Sequence, residues 1–158
     1  MKRIFVGLLT LLMILSAMSL GGCGKMPITE EEVVGVWRIV SVTAEWQPDA
    51  TEQQKETWRE QLSVYTGGET SDEDYMQAYA DSMMGTYQLS SYQMTEGGLG
   101  TFSSELVTET QGFSWAVTKE GVLLTFDESK QLCTVSDGNL VMTQTIDGLQ
   151  INITMIKI

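Results

Sequence analysis

Histidine is absent from this chain of 158 residues. With it go the commonest metal ligand and the commonest general base. Basic side chains are scarce: 9 Lys and Arg stand against 21 Asp and Glu, for a formal charge of −12. So acidic a chain does not wrap nucleic acid, because neutralising phosphates needs a basic surface. Proline is scarce too, at 2 residues, while 42% of the chain is hydrophobic, which excludes a disordered polymer. The length suits a single domain.

Met1-Lys2-Arg3 is a short basic start, and Ile4 to Leu20 follows without a charge. Ser19-Leu20-Gly21-Gly22-Cys23 closes the run with small residues and a thiol. A basic start, an apolar run and a small-residue end make an export signal. Its end resembles a bacterial lipobox, which implies cleavage between Gly22 and Cys23 and a lipid on Cys23. The alternative is an uncleaved transmembrane anchor, since the run lies at the short edge of a span. The expected organisation is a signal peptide over residues 1–22, a lipidated tether over 23–32 and a folded body over 33–158. The expected location is the extracytoplasmic face of a cell membrane. From Gly24 to Glu32 the tether reaches at most about 30 Å. Glu30-Glu31-Glu32 reads as a solvated charge run, with a short helical turn as the other option.

Val33 to Trp46 reads as a strand apolar on both faces. Between Thr51 and Tyr65 the period changes: Trp58, Leu62 and Tyr65 fall on one helical stripe. Gly67-Gly68 breaks that helix, and Ser71 caps a second whose stripe is Tyr75, Met76, Tyr79, Ala80 and Met83, with Gly85 as its stop. Strands are then expected at Tyr87–Met94, Gly100–Val107, Gly112–Val117, Val122–Phe126, Gln131–Val135 and Leu140–Thr145, and from Leu149 to Met155. In the last of these, apolar and polar residues alternate strictly. Gly-containing turns at regular intervals are hairpin signals. The fold class expected is mainly β: an eight-stranded antiparallel up-and-down barrel with two helices inserted between strands one and two.

Gly35-Val36-Trp37 resembles the Gly-x-Trp signature of lipocalins, and the segments GTF, FSW, LLTF, DGNLVM and DGLQINI resemble lipocalin-like bacterial lipoproteins. The resemblance covers Val33 to Ile158. It implies that Trp37 sits at the barrel floor and that a basic residue packs on it, for which Lys157 is the candidate. The chain departs from lipocalins in ending on its eighth strand, where they place their main helix. Its helical pair between the first two strands is instead similar to the intracellular lipid-binding proteins, which have ten strands.

Little in the chain carries chemistry. Asp72-Glu73-Asp74, near Glu69, has the oxygen ligands of a hard-cation site but lacks the spacing of a calcium loop. Acids at a helix start explain it without a metal. With Cys23 acylated, Cys133 has no intramolecular partner and no histidine to activate it, so it reads as a small buried hydrophobe. The dispersed methionines read as core, with Met83-Met84 as a flexible apolar lining in the other reading. No catalytic or metal-ligating set emerges, and no cofactor is implied.

What remains is the interior. Trp37, Ile39, Phe102, Leu106, Phe113, Trp115, Leu124, Phe126, Met142, Ile151 and Ile153 are the residues expected to face inward. A barrel of this size either fills with side chains or holds one small ligand. If it holds one, Trp37, Phe102, Trp115, Leu124, Met142, Ile151 and Ile153 are the candidate ligand-lining residues, for a small apolar or amphipathic ligand. Tyr75, Tyr79, Tyr87 and Tyr92 line the mouth or pack the helices on the barrel. The expected function is a tethered, non-enzymatic binding module. The alternative is a filled barrel that meets an envelope protein partner through its acidic surface or helical pair.

Overall fold

Eight strands follow one another around a closed antiparallel barrel. The computed structural model describes residues 27–158. The signal peptide, Cys23 and the start of the tether therefore lie outside the described residues. In chain order the strands are β1 (Gly35–Trp46), β2 (Ser90–Thr95), β3 (Leu99–Ser104), β4 (Val107–Val117), β5 (Val122–Thr125), β6 (Lys130–Ser136), β7 (Asn139–Ile146) and β8 (Leu149–Lys157). The helices are α1 (Glu30–Val33), α2 (Glu52–Thr66) and α3 (Asp72–Tyr87), the last two lying between β1 and β2 in the chain.

The side-chain period of two builds the wall. Along β8, Leu149, Ile151, Ile153 and Met155 are buried, while Gln150, Asn152 and Thr154 between them stay partly open. Tight turns hold the register. Asp137-Gly138 and Asp147-Gly148 both take positive φ at each residue, the backbone of hairpins whose twist matches their strands.

β1 differs from its sequence reading. Its outer face is open, with Arg38, Thr43 and Glu45 exposed and Val40 at 44% exposure. A register shift between Ile39 and Ser41 against β8 inserts a bulge at Val40. Trp37 and Ile39 on one side of it, and Val42, Ala44 and Trp46 on the other, lie opposite the inward row of β8 or its extension at Lys157. The bulge thus turns an apparently two-faced apolar run into a strand with one buried face.

Glu30-Glu31-Glu32 is part of α1 rather than a free charge run. Thr29 and Glu32 form a reciprocal capping box, and the three carboxylates suit the positive end of the turn. Val33 belongs to this turn, not to β1, and is buried together with Ile28. The core therefore takes in part of the stretch read as tether.

Two glycines mislead as punctuation. Gly85 does not stop α3, which continues to Tyr87, and Gly112 lies within β4 opposite Thr101. The turn after β3 falls instead at Glu105-Leu106. Glu105 N–H donates to the Leu89 carbonyl and Leu106 N–H to Ser104 Oγ. Leu106, expected inside, is 57% exposed at this turn.

The helices divide between the two poles of the barrel. At the pole where β1 begins, Trp37 Nε1 donates to the Val33 carbonyl at 2.8 Å and Lys157 Nζ to the Glu32 carbonyl at 2.9 Å. At the pole where β1 ends, Trp58 Nε1 of α2 reaches the Asp147 carbonyl at 3.3 Å, and Trp46 Nε1 reaches Asp72 Oδ2 of α3 at 2.9 Å. Leu62 from α2 and Tyr75, Met76 and Ala80 from α3 join the same buried cluster as the barrel interior.

Candidate functional site

The seven residues read as ligand-lining all come together inside the barrel. Trp37 is 1% exposed, and Trp115, Leu124, Met142, Ile151 and Ile153 are buried with it. Phe102 is half-buried, its ring 4.9 Å from that of Tyr92. The same cluster holds Val33, Met94, Phe113, Val122, Cys133, Leu140, Leu149 and Met155. These large side chains occupy the space a ligand would take. Phe113 shows how closely: a Cβ added at Gly100 would collide with its ring. Phe113 also meets Tyr92 at 6.0 Å and Phe126 at 5.1 Å between ring centres.

Polar groups in the core have structural work. Burial pushes the Cys133 thiol up to about 12, away from the reactive thiolate. Burial likewise raises the Tyr92 hydroxyl well above its ordinary value. Tyr75 is buried, with its hydroxyl donating to the Gly68 carbonyl, while Tyr79 stacks edge-on to Trp58 at 5.4 Å. Tyr75 and Tyr79 thus serve the packing of the helices.

The acidic cluster at the start of α3 is also engaged. Asp72 accepts from Arg59 through both carboxylate oxygens and from Trp46. Asp74 accepts from Thr70 and Ser71, which hold its carboxyl below the usual range. Among the described residues no group of three or more Cys, Asp or Glu side chains is placed to hold a metal ion.

Several hollows open on the surface among the described residues; the four that follow include none of the seven candidate lining residues, although one of them reaches Phe113 and Phe126. One of about 340 Å³ lies between α2 and the β7–β8 turn, beside Trp58 and Ile146. Another, of about 310 Å³, lies between β1 and α3, beside Val42, Trp46 and Met76. A groove of about 840 Å³ crosses β2 to β5 and is lined by Gln93, Thr95, Leu99, Thr101, Ser114 and Thr125 among others. A hollow of about 280 Å³ involves Arg38, Ser91 and Ser103. Sequence reasoning passed over these outer-face residues because hydroxyl and amide side chains on alternate strand positions form no motif. The available signal was the scarcity of charge in this part of the chain.

Among the described residues no helix is long and apolar enough to cross a membrane. No family model matches the chain, and no curated protein does. Among solved structures, the chain is similar to a DUF4847 family protein from Bacteroides vulgatus. The identity is 10%, the coverage is 75% of this chain and 90% of that one, and the TM-score is 0.40.

Proposed function

We infer that this is a lipid-anchored lipoprotein on the extracytoplasmic face of a bacterial membrane, with a barrel that is a solid scaffold and an outer surface that recognises an envelope component. The reading assigns it no enzymatic step. The observation that carries it is the filled interior. A ligand in the barrel would have to displace Trp37, Trp115, Leu124 or their neighbours, each of which is buried against the others. An eight-stranded barrel either fills with side chains or holds one small ligand; the buried cluster favours the first, so recognition falls to the outside.

The anchor rests on the sequence: a basic start, an uncharged apolar run, Gly21-Gly22 and then Cys23. One acyl chain holds a protein only marginally, whereas two hold it stably. The lipocalin-like character rests on Gly35-Val36-Trp37 and on Lys157, which stands opposite Trp37 in the ladder.

The test uses the full chain made in a bacterial host and extracted in detergent. Labelled palmitate is expected to enter the wild type and not Cys23→Ser, and a wild type that takes up no label would overturn the anchor. In native mass spectrometry the Cys23→Ser protein is expected at its bare mass. A discrete added mass that departs on mild activation would overturn the solid scaffold in favour of an apolar ligand held inside.

A further inference from the structure

We propose that the outer face of β2 to β5 binds an uncharged, hydroxyl-rich glycan chain, through Gln93, Thr101, Ser114 and Thr125. The proposal rests on the reading above, that recognition takes place outside the barrel.

The geometry is that of a track. On β2, Tyr92 and Met94 point inward, so Ser91, Gln93 and Thr95 point outward. Their partners on β3 are Ser103, Thr101 and Leu99, and the ladder continues from Thr101 to Gly112, and from Leu99 through Ser114 to Thr125. The groove of about 840 Å³ lies over the later part of this face, within the range of small-molecule sites. Beyond the groove, Ser91 and Ser103 continue the outward row, with their hydroxyls 3.1 Å apart, beside a separate hollow of about 280 Å³ at the start of β2 and the end of β3.

The chemistry of this face is unlike the rest of the chain. Of all residues, 19% are charged, yet β2, β3 and β5 contain none and β4 contains only Glu109. Charges in the two hollows are confined to Arg38, Glu105 and Asp127. A polyanion would be repelled by the net charge, and a cation would find one carboxylate, Asp127, in the larger groove. Among the described residues, the side chains of Gln93, Thr101, Ser114 and Thr125 have no hydrogen-bond partner in the protein. These neutral donors and acceptors can exchange water for ligand hydroxyls without desolvating an ion. Leu99, 64% exposed, and Phe126 offer apolar surface for the C–H face of a sugar ring. At Gly112 an added Cβ would meet nothing, so backbone lies open to close approach. An acyl chain on this surface would cover the hydroxyls without pairing them, which is costly.

The test titrates the full chain in detergent micelles with neutral malto-, cello- and xylohexaose, and with hexagalacturonate as the anionic control, by ligand-observed NMR. At least one neutral hexasaccharide is expected to bind, with an affinity that does not change with salt. Gln93→Ala and Thr101→Ala are expected to weaken it about tenfold each, the loss of one hydrogen bond. Thr145→Ala, an exposed position on β7, is expected to leave it unchanged. Both groove positions are exposed, and unchanged thermal melts would show that the variants fold. The proposal is overturned if no neutral hexasaccharide binds, if hexagalacturonate binds as tightly, or if the two groove variants bind like wild type. Should that happen while the native mass stays bare, the glycan site falls and the solid scaffold stands. A ligand mass inside the barrel would overturn both.

Discussion

Arg59 and Asp72 meet as two parallel hydrogen bonds, Nε to Oδ1 at 2.6 Å and Nη2 to Oδ2 at 2.9 Å. The pair joins α2 to α3, and Trp46 brings the end of β1 to the same carboxylate. Such bidentate geometry adds orientation as well as energy.

Arg59 is the main cause that holds the Asp72 carboxyl below its usual range, with the Trp46 bond adding to it. A depressed folded pKa contributes stability that is present above the unfolded value, near pH 4, and lost as pH falls through the folded value. Urea midpoints are therefore expected to stay level from neutral pH to about pH 5 and then to decline. Asp72→Asn should flatten part of that decline, the remainder belonging to groups such as Asp74. At neutral pH it should cost about 1 kcal/mol or less, because the pair is partly open to solvent. An acid limb identical to wild type would refute the assignment.

Trp37→Phe keeps most of the apolar volume but removes the indole donor to the Val33 carbonyl. That carbonyl would be left buried and unpaired, at a cost of about 1–3 kcal/mol. Hydrogen exchange should quicken first at the Val33 and Val34 amides, which bond within the α1 turn to Thr29 and Glu30. Uniform acceleration over the whole barrel would show that the bond does not secure this pole.

The Cys133 thiol should ignore alkylating reagents while the protein is folded. Burial pushes its pKa up and away from the reactive thiolate, and reagent cannot reach the buried sulfur. In the Cys23→Ser chain, mass spectrometry is expected to show no iodoacetamide adduct in buffer and one adduct per chain in urea. Rapid labelling in buffer would contradict the packed interior.

Gly121→Ala and Gly67→Ala separate backbone conformation from crowding. Both glycines have positive φ, but a Cβ at Gly67 meets nothing, whereas at Gly121 it collides with the Cys133 carbonyl. Gly67→Ala should cost about 1 kcal/mol for its left-handed conformation alone. Gly121→Ala should cost clearly more, about 2 kcal/mol or above, because β6 must shift. Equal losses in denaturant melts would mean that β6 yields freely.

Strand parity made the inner wall legible from sequence: β8 reads directly as one buried face, and the Asp-Gly pairs mark their turns. The errors have local causes. The bulge at Val40 put an apolar residue outside, out of phase with the period, and made β1 look buried on both sides. Gly85 and Gly112 sit inside elements because neither takes a positive φ there. The turn at Glu105-Leu106 carries no glycine to announce it. Thr29 and Glu32 have capping-box spacing, but two further glutamates conceal it. For the site, parity identified Trp115, Leu124 and Ile151 as inward residues. Whether inward residues enclose a void or fill it depends on which rings meet across the barrel, such as Phe113 beneath Gly100, and that relation spans strands. The outer track escaped notice because its residues come from four strands, one to three at a time.

Closure of the barrel also has a mechanical consequence. β1 is laddered on both sides, to β2 from Gly35 to Arg38 and to β8 from Trp37 to Trp46. A pull on the chain ahead of Gly35 cannot peel this strand from an open edge. The load enters along the strand axis, so the bonds to both neighbours are sheared together rather than opened one by one. The strand that first receives tension from the N-terminal side is thus seated between two supports, and the barrel should withstand force applied there better than an open sheet of the same size.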